Sequence, residues 1–109
     1  MNVIIFGTGS FYEKYKEQLV KKEINIVAFA DNNPEKQGTI FEGKQVISPA
    51  KINQVEYDYI IIANSFWIAI EIQLLKMGIE QNTIWIPFLR GIISSEDDKL
   101  NKAEIKRLV

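Results

Sequence analysis

The sequence predicts an α/β protein built on a single doubly wound parallel sheet, and three observations carry that expectation. A short apolar strand runs directly into a glycine pair, Val3-Ile4-Ile5-Phe6-Gly7-Thr8-Gly9-Ser10. A second apolar run, Ile24 to Ala30, follows a stretch of helical periodicity and stops at Asp31. Beyond it, strand-like and helix-like segments keep alternating, which sets parallel strands side by side with helices on both faces. The expected strand order is 3-2-1-4-5, followed by a C-terminal helix.

Each element has its own local warrant. Asn2 to Phe6 reads as a fully buried strand, a continuous apolar run with β-branched residues that ends at Gly7. A helix is expected from about Ser10 to Lys21: Phe11, Tyr12, Tyr15, Leu19 and Val20 recur at helical spacing, charged residues fill the other face, and Ser10 is the expected N-cap. Ile24 to Ala30 is the second buried strand, and strand, helix, parallel strand in so few residues is a right-handed βαβ unit. Asp31-Asn32-Asn33-Pro34 is a turn cluster, and Gly38 and Gly43 bracket a loop that leads into a minor edge strand at Val46-Ile47. Ser48-Pro49 opens a brief helix over 49–54, because proline suits the first helical position. Tyr59 to Ala63 is a central strand. Asn64 or Ser65 caps a helix from Phe66 to Met77, Gly78 ends it, and Thr83 to Ile86 is a further strand closed by Pro87.

Residues 1–90 make the main domain, with 91–109 as a helical extension of it. Ser95 precedes Glu96, Asp97 and Asp98, and Leu100, Ala103, Ile105 and Leu108 line one side of the expected terminal helix. The helix at 66–77 is apolar on more than one face, so part of it must meet the terminal helix, a second copy in a homodimer, or a partner catalytic domain.

Composition narrows the chemistry. The 109 residues suffice for one domain with a core of its own, and 13 basic against 14 acidic residues create no field that would gather nucleic acid. No apolar stretch is long enough to span a bilayer, and no signal-like segment precedes the first strand, so a cytoplasmic location is expected. With no His and no Cys, a Ser-His-Asp triad, a thiolate nucleophile and a typical zinc cage are excluded.

The glycine loop is the principal candidate site. Gly7 and Gly9 let bare backbone N–H groups approach a phosphate at a helix N-terminus, where the macrodipole favours an anion. Asp31, at the end of the second strand, stands where a dinucleotide fold places a carboxylate against ribose hydroxyls. Each residue also has a purely structural reading. The glycines can simply make the turn, Asp31 can simply stabilise Asp-Asn-Asn-Pro, and Asn64 and Ser65 can simply cap a helix. The Tyr12 to Lys16 spacing follows the glycine loop directly and is not read as a catalytic pair.

Taken together, Ile-Ile-Phe-Gly-Thr-Gly, Ala-Phe-Ala-Asp-Asn-Asn, the Gly38 to Gly43 to Val46 stretch and Asp-Tyr-Ile-Ile-Ile-Ala resemble the Rossmann-like nucleotide-binding domains of bacterial sugar-nucleotide epimerases, dehydratases and related polysaccharide-biosynthesis proteins. The pattern is also similar to CoA-binding-type Rossmann domains. The resemblance covers residues 2–86 and implies a cofactor-binding set of Gly7, Thr8, Gly9, Ser10, Asp31, Asn32, Asn64 and Ser65, with no catalytic residue assigned and no metal. It implies NAD as cofactor, with a UDP-type nucleotide as the alternative, and a nucleotide or nucleotide-sugar as partner. Tyr12 departs from the pattern by standing where the third glycine of Gly-x-Gly-x-x-Gly would allow close helix packing. A complete enzyme of this kind carries a substrate domain, so the chain is expected to be a module of a larger protein. The other readings are a non-catalytic interaction or regulatory domain and, last, a fragment of an S-adenosylmethionine-binding methyltransferase.

Overall fold

A computed structural model describes residues 1–20 and 23–86. Its elements are β1 (Asn2–Phe6), α1 (Ser10–Val20), β2 (Asn25–Ala30), β3 (Ile40–Phe41), β4 (Lys44–Ile47), a 3-10 turn at Pro49–Gln54, β5 (Tyr59–Ile62), α2 (Trp67–Lys76), a second 3-10 turn at Gln81–Thr83 and β6 (Ile84–Trp85). The sheet order is β3-β4-β2-β1-β5-β6. Every pairing is parallel except the β3–β4 hairpin. The parallel part is the expected 3-2-1-4-5 order, and β3 is the addition. The expected terminal helix at 91–109 and the Pro87 stop lie outside the described residues.

β1 lies at the centre, and its side chains alternate between two cores. Ile4 and Phe6 join Ala28, Ile60, Ile62 and Ile52 on the face covered by Ile70 and Leu74 of α2. Val3 and Ile5 join Phe29, Ile61 and Trp85 on the face covered by Tyr12 and Leu19 of α1. Helices on opposite faces of one parallel sheet are what make the strands almost wholly apolar.

The boundaries differ from expectation in physically simple ways. The α1 cap is Gly9 and not Ser10, because the Gly9 carbonyl accepts the first helical bond from the Glu13 N–H at 3.1 Å. Ser10 is thus the first helical residue. Residues 38–47 hold a two-residue hairpin turn at Glu42-Gly43, both at positive φ (50° and 80°), the geometry of the primed turns that match strand twist. The α2 cap is Phe66 and neither Asn64 nor Ser65: no side chain caps the helix, because Asn64 Oδ1 accepts instead from the Phe66 N–H at 2.8 Å in the turn before it. The helix ends in a complete Schellman motif, with the Gly78 N–H on the Leu75 carbonyl, the Ile79 N–H on the Leu74 carbonyl, and Gly78 at φ 87°.

Candidate functional site

The carboxyl ends of β1, β2 and β5 meet at one edge of the sheet. The Gly7 N–H donates to the Ala30 carbonyl at 2.8 Å, and the Ala63 N–H donates to the Phe6 carbonyl at 2.9 Å, so the glycine loop leaves β1 clasped between its two neighbours. In an open α/β sheet this is where the crevice forms, because the connections on either side of β1 leave toward opposite faces.

The two glycines of the loop answer to different demands. Gly7 has φ 126°, and a Cβ built there would lie 2.3 Å from the Ala63 carbonyl oxygen. The fold itself therefore requires glycine at this position. Gly9 has an ordinary φ, and a Cβ there would meet nothing within 4 Å. Its bare backbone faces open space in front of α1, where unpaired helical N–H groups begin.

Asp31 is tied to that loop. Its Oδ2 accepts from the Thr8 hydroxyl at 2.7 Å and from the Thr8 N–H at 3.2 Å, while its Oδ1 accepts from the Asn33 N–H at 2.9 Å in an Asx turn. A carboxylate has about four acceptor positions, so three are occupied within the protein and one is left over. Thr8, at 7% exposure, is one of the few buried polar residues of the described chain.

Asn32 and Gln73 join the loop after β2 to α2 through a reciprocal amide pair, each Nδ2 or Nε2 donating to the other's oxygen at 2.9 Å. Asn64 serves the turn before α2, and Ser65 is exposed beside it. The structure thus brings Gly7, Thr8, Gly9, Ser10, Asp31 and Asn32 to one end of the sheet, with Asn64 and Ser65 at the end of the neighbouring strand. Lys36 escaped the sequence reading. Its ammonium lies 3.5 Å from the Thr8 carbonyl oxygen, the outer limit of a hydrogen bond. The only sequence signal was a lysine two residues past the Asp-Asn-Asn-Pro cluster, which by itself suggests a solvated side chain.

Tyr12 points away from the loop. It is 2% exposed, and its ring packs edge-on against Phe29 and Phe41 with centroids 5.2 and 5.7 Å apart, while its hydroxyl donates to Glu42 Oε1 at 2.8 Å. Burial first, then the Glu42 contact, pushes its pKa well above the usual 10.0. The residue in the third-glycine position therefore fills space between α1, β2 and the hairpin rather than the mouth of the loop.

A depression of about 510 Å³ lined by Met1, Asp58, Tyr59, Asn82 and Thr83 lies at the amino ends of the strands, the opposite edge from the glycine loop. Among the described residues no group of three or more His, Cys, Asp or Glu is placed to hold a metal ion. None of the described helices is long and apolar enough to cross a membrane.

Residues 1–85 match the model of a family described as C2185-like, N-terminal. No curated protein sequence matches the chain. Among solved structures it is similar to UDP-D-quinovosamine 4-dehydrogenase from Vibrio fischeri, with a TM-score of 0.54 and 20% identity over 71% of this chain and 69% of that one. It is also similar to RSP, a Rex-family repressor, with a TM-score of 0.55 and 19% identity over 98% of this chain and 62% of that one. RSP in complex with β-NADH gives a TM-score of 0.51 and 20% identity, covering 99% of this chain and 64% of the other. The chain therefore spans about two-thirds of the length of these neighbours. At this identity they show the fold, which is Rossmann-like.

Proposed function

The chain belongs to the C2185-like family, and from the shape of its first loop we propose that it binds a nucleotide at the carboxyl ends of β1 and β2. One observation carries the reading: glycine at position 9 is not demanded by any neighbour within 4 Å, yet it leaves bare backbone at the head of an 11-residue helix beside a fixed carboxylate. A phosphate in that space gains N–H donors and the positive end of the helix dipole. The remaining acceptor position of Asp31 suits a ribose hydroxyl, and its charge disfavours a 2′-phosphate. NAD is accordingly the preferred dinucleotide, with a UDP-type nucleotide as the alternative. The fold shared with a structure that holds β-NADH and with a UDP-sugar dehydrogenase supports both. On this reading the chain is the nucleotide-binding module of a cytoplasmic, sugar-nucleotide or surface-polysaccharide biosynthesis protein.

The test is a thermal-shift panel with NADH, NADPH, ADP, UDP, UDP-sugars, CoA and S-adenosylmethionine. A ligand at one hundred times its dissociation constant adds about 2.7 kcal/mol of apparent stability. NADH or UDP-type ligands are expected to shift the transition. Silence across the whole panel overturns the nucleotide reading.

A second reading, an interaction or regulatory domain, has its own observation. Ile68, Ile72 and Leu75 line one face of α2 and are 56%, 48% and 39% exposed, with Phe66 exposed before them. Glu71 on the same helix is buried, with Oε2 unpartnered among the described residues. A second copy or a partner catalytic domain would bury this face.

A further inference from the structure

The loop after β2 is organised around the placement of one cation. Asn33 begins the turn by accepting the Glu35 N–H on its side chain at 3.0 Å and the Lys36 N–H on its carbonyl at 3.0 Å. The Lys36 carbonyl accepts from both the hydroxyl and the N–H of Thr39, at 2.6 and 3.2 Å. The Gln37 side chain donates to the Asp31 carbonyl at 2.9 Å, closing the turn onto the end of β2. Lys36 is thus held from both sides of its backbone, and its side chain lies back across the glycine loop, with Nζ against the Thr8 carbonyl.

That position is electrostatically unusual. The positive end of α1 begins one residue beyond Thr8, and a cation there opposes the helix dipole. Lys36 forms no salt bridge among the described residues, in contrast to Lys16, which has two. Asp31, the nearby acid, gives three of its four acceptor positions to Thr8 and Asn33 and forms no ion pair with Lys36 among the described residues. An ammonium has three donors, and at most one is used on the Thr8 carbonyl, so two remain available beside the loop. A flexible ammonium acts on phosphate as a point charge, and a diphosphate placed before Gly9 would neutralise both the lysine and the helix end.

We propose that Lys36 is the cation that binds the diphosphate of the nucleotide, which makes the loop after β2 part of the phosphate site and selects nucleoside diphosphates over the parent nucleosides. This rests on the nucleotide-binding reading above and adds a specificity-determining residue to it.

The test uses the full chain with Lys36→Met, which keeps the apolar stem, and Lys36→Arg. NMR titration and calorimetry follow adenosine, ADP, uridine and UDP at two salt concentrations, with thermal denaturation confirming that both variants fold. Lys36→Met is expected to weaken the bound diphosphate, ADP or UDP, about tenfold and to flatten its salt dependence. It leaves the parent nucleoside unchanged, and Lys36→Arg restores most of the loss. Unchanged diphosphate affinity in Lys36→Met, or an equal loss for diphosphate and nucleoside, overturns the role of Lys36 while leaving the nucleotide reading intact. If the original chain binds neither ADP nor UDP, this inference falls, while the nucleotide reading stands or falls on the panel that includes NADH.

Discussion

At the scale of single residues, Gly7 and Gly9 look equivalent in the sequence and differ in the structure. Gly7→Ala places a Cβ 2.3 Å from the Ala63 carbonyl at φ 126°, so the chain must shift or strain. A loss on the order of 3 kcal/mol is expected in a denaturant titration. Gly9→Val has open space around it, and its effect on stability stays within about 1 kcal/mol, mostly the poorer N-cap. Its effect on nucleotide affinity is expected to be at least tenfold, since the branched side chain occupies the approach of a phosphate. Calorimetry beside the denaturation curve separates the two, and a folded Gly9→Val chain with undiminished affinity removes the loop from the site. The Asp31–Thr8 contact allows a similar separation. Thr8→Val and Asp31→Asn, alone and together, should show a stability coupling of about 1 to 2 kcal/mol, because one hydroxyl and one N–H share a single carboxylate oxygen. Additive single effects would mean that the contact contributes nothing net. The sequence exposed the glycines and Asp31 because their chemistry is local. It could not expose the bond from Asp31 to Thr8, or Lys36 lying over the same loop, because those contacts span 23 and 28 residues and depend on register.

At the scale of elements, the β3–β4 hairpin is latched to α1 by Glu42, which accepts from the Tyr12 hydroxyl at 2.8 Å and from Lys16 Nζ at 2.9 Å. The Lys16 hydrogen bond, and then that of Tyr12, holds the Glu42 carboxyl below its ordinary 4.5 against the opposing effect of burial. A depressed folded pKa contributes stability above the unfolded value, and that contribution is lost as pH falls through the folded one. Tyr12 has the opposite sense: its raised pKa contributes below 10.0 and is lost as pH climbs beyond it. The latch is therefore closed between about pH 5 and pH 10. An NMR titration that follows the Glu42 carboxyl and the Gly43 amide should find their midpoint below the ordinary 4.5. Tyr12→Phe should cost about 1 kcal/mol and leave the tyrosinate absorbance of the folded chain unchanged up to about pH 11. A Glu42 carboxyl titrating at its ordinary value would show the latch open in solution. The hairpin was only half legible in the sequence. Gly38, Gly43 and the apolar Val46-Ile47 announced an edge strand, but Glu-Gly is not the Asn-Gly or Asp-Gly pair that announces a primed turn, and Glu42 adopts φ 50° against its own preference. By contrast, α2 was legible to within a residue at each end, because its apolar run is continuous and Gly78 marks its close by local chemistry, although its cap is Phe66 and not Asn64 or Ser65.

At the scale of the whole molecule, the fold decides where a ligand belongs even before its identity is known. The strand order was readable because apolar runs, helical periodicity and short connections leave few parallel topologies, and right-handed crossovers remove most of those. The order puts β1 between β2 and β5 and sends α1 and α2 to opposite faces, so the carboxyl edge opens at β1, while the amino edge carries the depression between Met1, Asp58 and Thr83. Two edges of one sheet thus compete as binding places: the amino edge has a depression of about 510 Å³, and the carboxyl edge has helical N–H groups, a carboxylate and a lysine, with a hollow of about 440 Å³ near them at Gln37, Gly38 and Ile47. Volume without directed polar groups does not specify a ligand, whereas a few placed donors and acceptors do. Titrating a ¹⁵N-labelled chain with NADH, ADP or UDP should therefore move the amides of Thr8, Gly9 and Ser10, those of residues 31–38, and that of Asn64. The amides of Asp58, Tyr59, Asn82 and Thr83 should stay in place. Shifts concentrated at the amino edge would transfer the site to the depression there and reduce the glycine loop to a turn that joins β1 to α1.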